Sequence, residues 1–156
     1  MLNKELASVC GLFCASCGVF YATQEKDFIK LQEIAKKLDI PFDKVNCYGC
    51  RSNEKIGSCV NCFIAKCAEE KGVEFCIDCD TYPCGELKEF QKKMPHRKNM
   101  WKSLARIKEV GWEKWFVEMF DYYTCQKCNT INGAYNIECR KCGNSPGNDF
   151  VKENML

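Results

Sequence analysis

Apolar residues recur at Phe28, Leu31, Ile34, Ala35 and Leu38 with charged residues between them. This 3.6-residue period predicts an amphipathic helix that Pro41 closes and that supplies much of a small apolar core. A second short helix is predicted from about Cys59 to Lys71, with Lys66 and Lys71 in its last turns and Gly72 as a left-handed stop. From Gly85 the pattern is helical again: Leu87 and Phe90 come first, Pro95 should break the run, and Trp101, Leu104, Ala105 and Ile107 resume it. After Gly111, the residues Trp112, Trp115, Phe116, Met119 and Phe120 fall at i, i+3, i+4, i+7 and i+8, a strong helical stripe whose aromatics are expected to pack as core. The polar stretch Gly147 to Leu156 reads as a mobile tail. No apolar run approaches the roughly 20 residues that a membrane span needs.

Fifteen cysteines in 156 residues change this picture. A cysteine-dense short chain is either a secreted disulfide framework or a set of metal sites. The opening residues Met1 to Cys10 show no basic region followed by an apolar stretch, so export is not expected and the cytoplasm is. The odd cysteine count and the repeated C-x2-C spacing also favour chelation over disulfides. Metal binding would reverse the sign of the formal charge of +2. Fifteen thiolates and His96 around four zinc ions would bring the charge to about −5, so the near-neutral composition says little about partners.

The spacing divides the chain into a cysteine-rich multi-metal unit (1–84), an amphipathic helical segment packed on it (85–121), a zinc-ribbon finger (122–146) and a tail (147–156). The first unit holds Cys10, Cys14, Cys17, Cys47, Cys50, Cys59, Cys62, Cys67, Cys76, Cys79 and Cys84. The fold class expected is a small metal-stabilised α+β protein, mainly helical with irregular zinc knuckles, plus a separate carboxy-terminal ribbon with short β-hairpins.

The finger carries the strongest single signal. Cys125 and Cys128, ten intervening residues, then Cys139, Cys142 and Gly143 present two thiolate pairs to one point, and a tetrahedral ion would complete a core that so short a segment could not otherwise form. With Tyr123 before the first pair and Asn132 between the pairs, the stretch resembles the zinc finger of Ran-binding proteins, which has Trp at the position of Tyr123. The resemblance implies four zinc ligands. Fingers of that family bind single-stranded RNA through a Trp after the Asn and a pair of arginines, or ubiquitin through Thr-Phe. Here Gly133, Tyr135 with Asn136, and Asn129-Thr130 stand at those places, so the stacking plane and planar donors are missing.

In the amino-terminal unit, Cys10-x3-Cys14-x2-Cys17 has the spacing of radical enzymes that use S-adenosylmethionine, but the chain lacks the strand–helix alternation of the barrel such enzymes need. An iron-sulfur cluster is a second alternative, since four thiolates hold iron and sulfide as readily as zinc. The ferredoxin run of cysteines ending in C-P is absent, and Pro83 precedes Cys84. The motifs Cys10-Gly-Leu-Phe-Cys14-Ala-Ser-Cys17, Cys47-Tyr-Gly-Cys50 and Lys71-Gly-Val-Glu-Phe-Cys76-Ile-Asp-Cys79-Asp-Thr-Tyr-Pro-Cys84 resemble a family of small cysteine-rich bacterial and archaeal proteins, a domain of unknown function, over residues 1 to about 120. That resemblance implies metal binding. Six C-x2-C pairs, with Cys10, Cys67, Cys84 and His96 as single ligands, would fill four tetrahedral sites; without His96 three thiols are left over. Three or four zinc ions per chain are therefore expected.

Three functions remain open at this level. A metal-stabilised binding or adaptor module for nucleic acid or protein is favoured, with Lys98, Lys102 and Arg106 as a basic helical ridge that could meet phosphates. An iron-sulfur or thiol-based redox protein, or an enzyme with Asp78 or Asp80 as base beside Cys79, is the second. A zinc-handling protein is the third, though the regular helices argue for a fixed fold.

Overall fold

In a computed structural model that describes residues 1–156, the period at Phe28 folds as an α-helix with bounds close to those expected, Phe28–Leu38. Asp27 caps its start by accepting from the Lys30 amide, and Asp39 ends it in the left-handed conformation. We call this helix α2, because Gly18–Glu25 forms an earlier helix, α1, that the periodicity did not mark. Helix α3 runs over Phe63–Lys71 and stops at Gly72, whose φ of 64° suits a residue without a Cβ. Helix α4 spans Gly85–Lys92; Pro95 then opens a 3-10 turn, Pro95–Asn99, and α5 follows over Met100–Val110. Gly111 separates α5 from α6, Trp112–Tyr123.

The protein is mainly helical, with almost no strand. Its only β-bridges are isolated antiparallel ones, Ala7 with Phe13 and Thr124 with Ile131. The expected β-hairpins of residues 122–146 do not form, for a local reason. Only one rung of a ladder forms: the Cys125 amide donates to Thr130 O and the Asn132 amide to Tyr123 O, which makes the lone Thr124–Ile131 bridge, while the Cys139 amide turns back on Asn144 O.

The main core forms where the amino-terminal segment crosses α5 and α6. Phe13 is the hub: its ring meets Trp115, Phe116 and Phe120 edge-on at 5.9, 5.3 and 6.2 Å and stacks on Tyr123 at 6.1 Å. Leu6, Val9, Leu87, Met100, Leu104 and Ile107 fill the space around it. Gly11 lets the chain pass close to α5, since a Cβ there would lie 2.9 Å from Leu104 Cγ. The expectation that α2 supplies much of the core is corrected. Leu31 and Ala35 belong to a small separate cluster with Ala22, Val45, Cys47 and Ile56, while Phe28 is 62% exposed. A single turn of apolar positions on a helix at the margin has too little facing surface to bury the rest.

Residues 147–156, read from sequence as a mobile tail, contain a further short helix, α7, over Asp149–Asn154. Phe150 stacks on Tyr123 at 5.8 Å, Val151 is fully buried, and Asn148 caps the helix while donating to Gly133 O. Two apolar residues in a polar stretch suffice here because Tyr123 presents a free aromatic face to them.

Nor is the finger held apart from the rest. Arg140 lies over the Tyr21 ring of α1 at 4.1 Å and grips Glu25 of the same helix, while Tyr21 Oη donates to Asn136.

Candidate metal centre

Each half of the carboxy-terminal site is built by the same backbone device. In the first, the Asn129 amide donates to Cys125 O at 2.9 Å and the Cys125 amide to Thr130 O at 2.9 Å; in the second, the Gly143 amide donates to Cys139 O at 2.9 Å and the Cys139 amide to Asn144 O at 2.8 Å. The residue after each pair, Asn129 and Gly143, has a positive φ, at 57° and 69°. Asn and Gly are the residues that enter this region most easily. The turn so made points both thiols of a pair to the same side. Cys125 Sγ lies 3.7 Å from Cys142 Sγ, Cys128 Sγ lies 3.6 Å from Cys139 Sγ, and all four sulfurs lie within 4.8 Å of one another. These separations are far beyond a disulfide bond, and the four are free thiols arranged as the corners of a site that could hold one metal ion.

Asn132, fully buried, ties the halves together. Its carboxamide nitrogen donates to Thr130 O, Gly147 O and Cys139 Sγ at 2.9, 3.0 and 3.6 Å, and its oxygen accepts from the Arg140 amide at 3.0 Å. Such donors favour thiolate over thiol. Burial alone would raise the Cys139 thiol, but the Cys142 and Lys141 amides and Asn132 outweigh it and bring it down to about 6. Cys128 is also lowered, by the Thr130 hydroxyl first. Cys142, despite the Asn144 amide, is pushed up to about 11 by its thiol neighbours, Cys128 foremost. The cluster thus favours thiolate at Cys128 and Cys139, one in each half, and resists it at Cys142, an imbalance that a bound cation removes.

The eleven amino-terminal cysteines lie at turns and helix starts. Cys17, Cys62 and Cys84 immediately precede α1, α3 and α4. Cys14 and Cys76 open 3-10 turns. Burial pushes the Cys10 thiol to about 11 and those of Cys59 and Cys76 to about 12, with neighbouring thiols adding to the shift. Those neighbours fall into two groups that Cys10 bridges, since Cys50 and Cys62 also act on Cys10 itself. Cys47, Cys50, Cys17 and Cys62 act on Cys59, whereas Cys10, Cys84, Cys67 and Cys79 act on Cys76. None of these sets has its sulfurs as tightly gathered as the carboxy-terminal four.

His96 is not brought into any ligand group. Its Nδ1 lies 2.8 Å from Tyr135 Oη, the two rings meet edge-on, and burial lowers its affinity for a proton. The basic ridge is also dispersed. Lys98 sits in the 3-10 turn before α5 and Lys102 on the helix, both exposed, but Arg106 forms a forked pair with Glu118 at 2.8 and 2.6 Å and reaches Glu109 at 2.8 Å. Asp78 pairs with Lys108 at 2.8 Å. Sequence reasoning missed the Arg140–Glu25 clasp, because the two residues are 115 positions apart and neither stands in a motif.

A family described as a protein of unknown function (DUF3795) matches residues 6–89, just over half of the chain. All eleven amino-terminal cysteines fall within the match, whereas α5, α6 and the Cys125–Cys142 site lie beyond it. No curated protein and no solved structure matches the chain.

Proposed function

The chain belongs to the DUF3795 family, and from that premise we propose that it is a multi-zinc protein acting as a binding or adaptor module, with three or four zinc ions per chain. The observation that carries the reading is the convergence of Cys125, Cys128, Cys139 and Cys142. Four thiolates around zinc at about 2.3 Å would have edges of about 3.8 Å. Two of the sulfur pairs, at 3.7 and 3.6 Å, are within about 0.2 Å of that edge. Zinc, when bound, supplies a charge-neutralising cross-link between the two halves, and these residues supply its four ligands. A reducing compartment such as the cytoplasm suits fifteen free thiols. No helix is long and apolar enough to cross a membrane.

Within this reading a protein partner is favoured over nucleic acid. The finger has the spacing of the Ran-binding type, yet at Gly133 a Cβ would lie 3.0 Å from Ser16 O, so the base-stacking Trp of that family has no room. Arg106 is held by two carboxylates and cannot neutralise phosphate without losing them. Exposed apolar side chains instead gather on and beside α2, where Phe28 meets Phe42 edge-on at 6.4 Å and Ile29 is 76% exposed.

Metal analysis of the purified chain tests the reading directly. Colourless protein with three or four zinc ions per chain is expected. Iron with acid-labile sulfide would overturn it in favour of redox chemistry. Retention on a mixed single-stranded nucleic-acid column that falls on Lys98→Glu with Lys102→Glu would overturn the choice of a protein partner.

A further inference from the structure

Four of the amino-terminal cysteines, Cys67, Cys76, Cys79 and Cys84, line one cavity beside α3 and the start of α4. We propose that these four form a second closed thiolate site for a single tetrahedral zinc ion, with Lys71 as its outer-sphere cation. The proposal deepens the multi-zinc reading and rests on it, and it settles which of the eleven amino-terminal thiols belong together.

The backbone brings these four side chains to one place. Cys67 lies near the end of α3. Gly72 then reverses the chain, with the Val73 amide donating to Ala68 O at 3.0 Å, and Phe75, 2% exposed, anchors the return. Cys76 and Cys79 follow as a knuckle closed by the Cys79 amide on Cys76 O at 3.2 Å, and the Tyr82 amide on Cys79 O at 3.0 Å carries the chain round to Cys84. Cys84 stands directly before α4, an eight-residue helix.

Size and lining decide what can enter. The cavity has a volume of about 30 Å³, and its remaining wall is largely apolar, including Phe63, Ile64, Val73 and Leu87. That volume admits an object the size of one or two water molecules. Pockets for organic ligands begin at about 300 Å³. A four-iron cube with its four sulfides is also much larger than a single ion. An apolar wall offers no counter-charge, so four thiolates can stand together here only around a cation.

The one basic group at the cavity, Lys71, offsets part of the charge, and the carboxylate of Glu86 also stands on its wall. Four thiolates and a zinc dication leave a net charge of about −2. Lys71 Nζ lies 3.4 Å from Cys79 Sγ and 3.2 Å from Thr81 Oγ1, and Thr81 Oγ1 is 3.2 Å from the same sulfur. Ligand sulfurs held by such outer partners are the common design of metal sites. Zinc binding would release the thiol protons to solvent, and no oxidant or further reactant is required.

The test counts zinc by native mass spectrometry on the full zinc-loaded chain. Cys79→Ser and Cys84→Ser should each lose one zinc relative to wild type, and the double variant should also lose one. Loss of two zinc ions by the double variant, or none by either single variant, overturns the grouping. Where a variant fails to fold, staged removal of zinc from wild type with EDTA, followed by iodoacetamide alkylation and peptide mapping, reads the same grouping. Cys67, Cys76, Cys79 and Cys84 should become reactive as one set with the loss of one zinc; reaction alongside members of the Cys10–Cys62 set overturns it. Lys71→Met should retain the full zinc count at saturating zinc but release this ion at about tenfold lower EDTA. Unchanged release removes Lys71 from the proposal. A chain that binds no zinc at all and exposes all fifteen thiols together would instead overturn the multi-zinc reading itself.

Discussion

Arg140 clasps Glu25 through both carboxylate oxygens, at 2.6 and 2.5 Å, and so fastens the second knuckle of the finger to helix α1. The guanidinium side chain is 16% exposed, lies over Tyr21 and also donates to Ile131 O at 2.8 Å, so its geometry is fixed on three sides. The carboxylate is half exposed, which limits what the pair contributes. Glu25→Gln should lower stability by no more than about 1 kcal/mol. Arg140 holds the Glu25 carboxyl below its ordinary value, first through the hydrogen bonds and then through charge. The contribution is therefore fully present above the usual carboxylate range and is lost as pH falls through the depressed value. Urea titrations of wild type and variant should differ at pH 7 and converge in acid; equal midpoints at pH 7 would remove the clasp as a docking contact.

Phe13 is the residue on which the three main segments meet. Phe13→Ala removes a ring packed against Trp115, Phe116, Phe120 and Tyr123, and should cost about 4 kcal/mol. For a chain of this length the melting temperature should drop by more than about 8 °C. On the multi-zinc reading, the metal content should remain that of wild type at temperatures where the variant is folded, because the ring's aromatic partners all lie on α6 and none is a cysteine. Thermal melts with parallel metal analysis check both halves of the expectation.

The helices and the tetracysteine site were legible in the sequence because their causes are local. Period, Gly72, Pro95 and Gly111 mark helix bounds, and two C-x2-C pairs define a chelate without reference to the rest of the chain. What escaped was set by distant partners. Tyr123 was read only as a position in a finger, but its ring is buried between Phe13 and Phe150, and this is why the polar tail folds as α7. Arg106 was read as part of a basic ridge, yet Glu118 on α6 neutralises it, a pairing that only the α5–α6 packing creates. Helix α1 carries a weak apolar period and owes its position to Cys17 at its start and the finger laid against it.

Asn132 is a buried carboxamide whose every polar atom is used, including one bond to a ligand sulfur. Asn132→Ala leaves Gly147 O and the Arg140 amide without partners, while Thr130 O keeps only the Cys125 amide. A loss of about 2 to 3 kcal/mol is expected. Zinc affinity at Cys125–Cys142 should also fall at least tenfold, as for other outer-sphere partners of a metal. Chelator competition would detect this, and an unchanged affinity would show that Asn132 supports the fold alone.

Gly133→Trp places an aromatic where the Ran-binding type of finger has its base-stacking residue. In this protein that position is roofed by Ser16 O, and its amide donates to Asn136 at 2.7 Å. The variant should therefore detach the finger from α1 and lower stability, not create RNA binding. Fluorescence anisotropy with a single-stranded RNA should show no gain, and amide exchange should rise from Tyr21 to Glu25. A gain of tight RNA binding without loss of stability would contradict the docked geometry.

On the multi-zinc reading, removal of metal should take the protein apart in order, because its two kinds of core would depend on metal to different degrees. The cluster around Phe13 joins the amino-terminal segment to α4, α5, α6 and α7 by apolar contact, and its α5–α6 part, Met100, Leu104, Ile107, Trp115 and Phe116, is remote in sequence from any cysteine. The finger has no such reserve. Between Thr124 and Gly147 the buried residues are mainly Cys125, Cys139, Thr130, Asn132 and Ala134, and their mutual contacts are hydrogen bonds and sulfur pairs. A segment that buries so little apolar surface needs its metal to fold. Chelation should first abolish exchange protection at Asn132 and Arg140 and free Glu25, while the helical circular dichroism of α5 and α6 persists. The amino-terminal unit should follow at higher chelator, when its eleven thiols lose their ions. A single transition, with helix signal and finger protection lost together at one chelator concentration, would mean that the metal sites hold the aromatic core itself and that the division drawn between them is wrong.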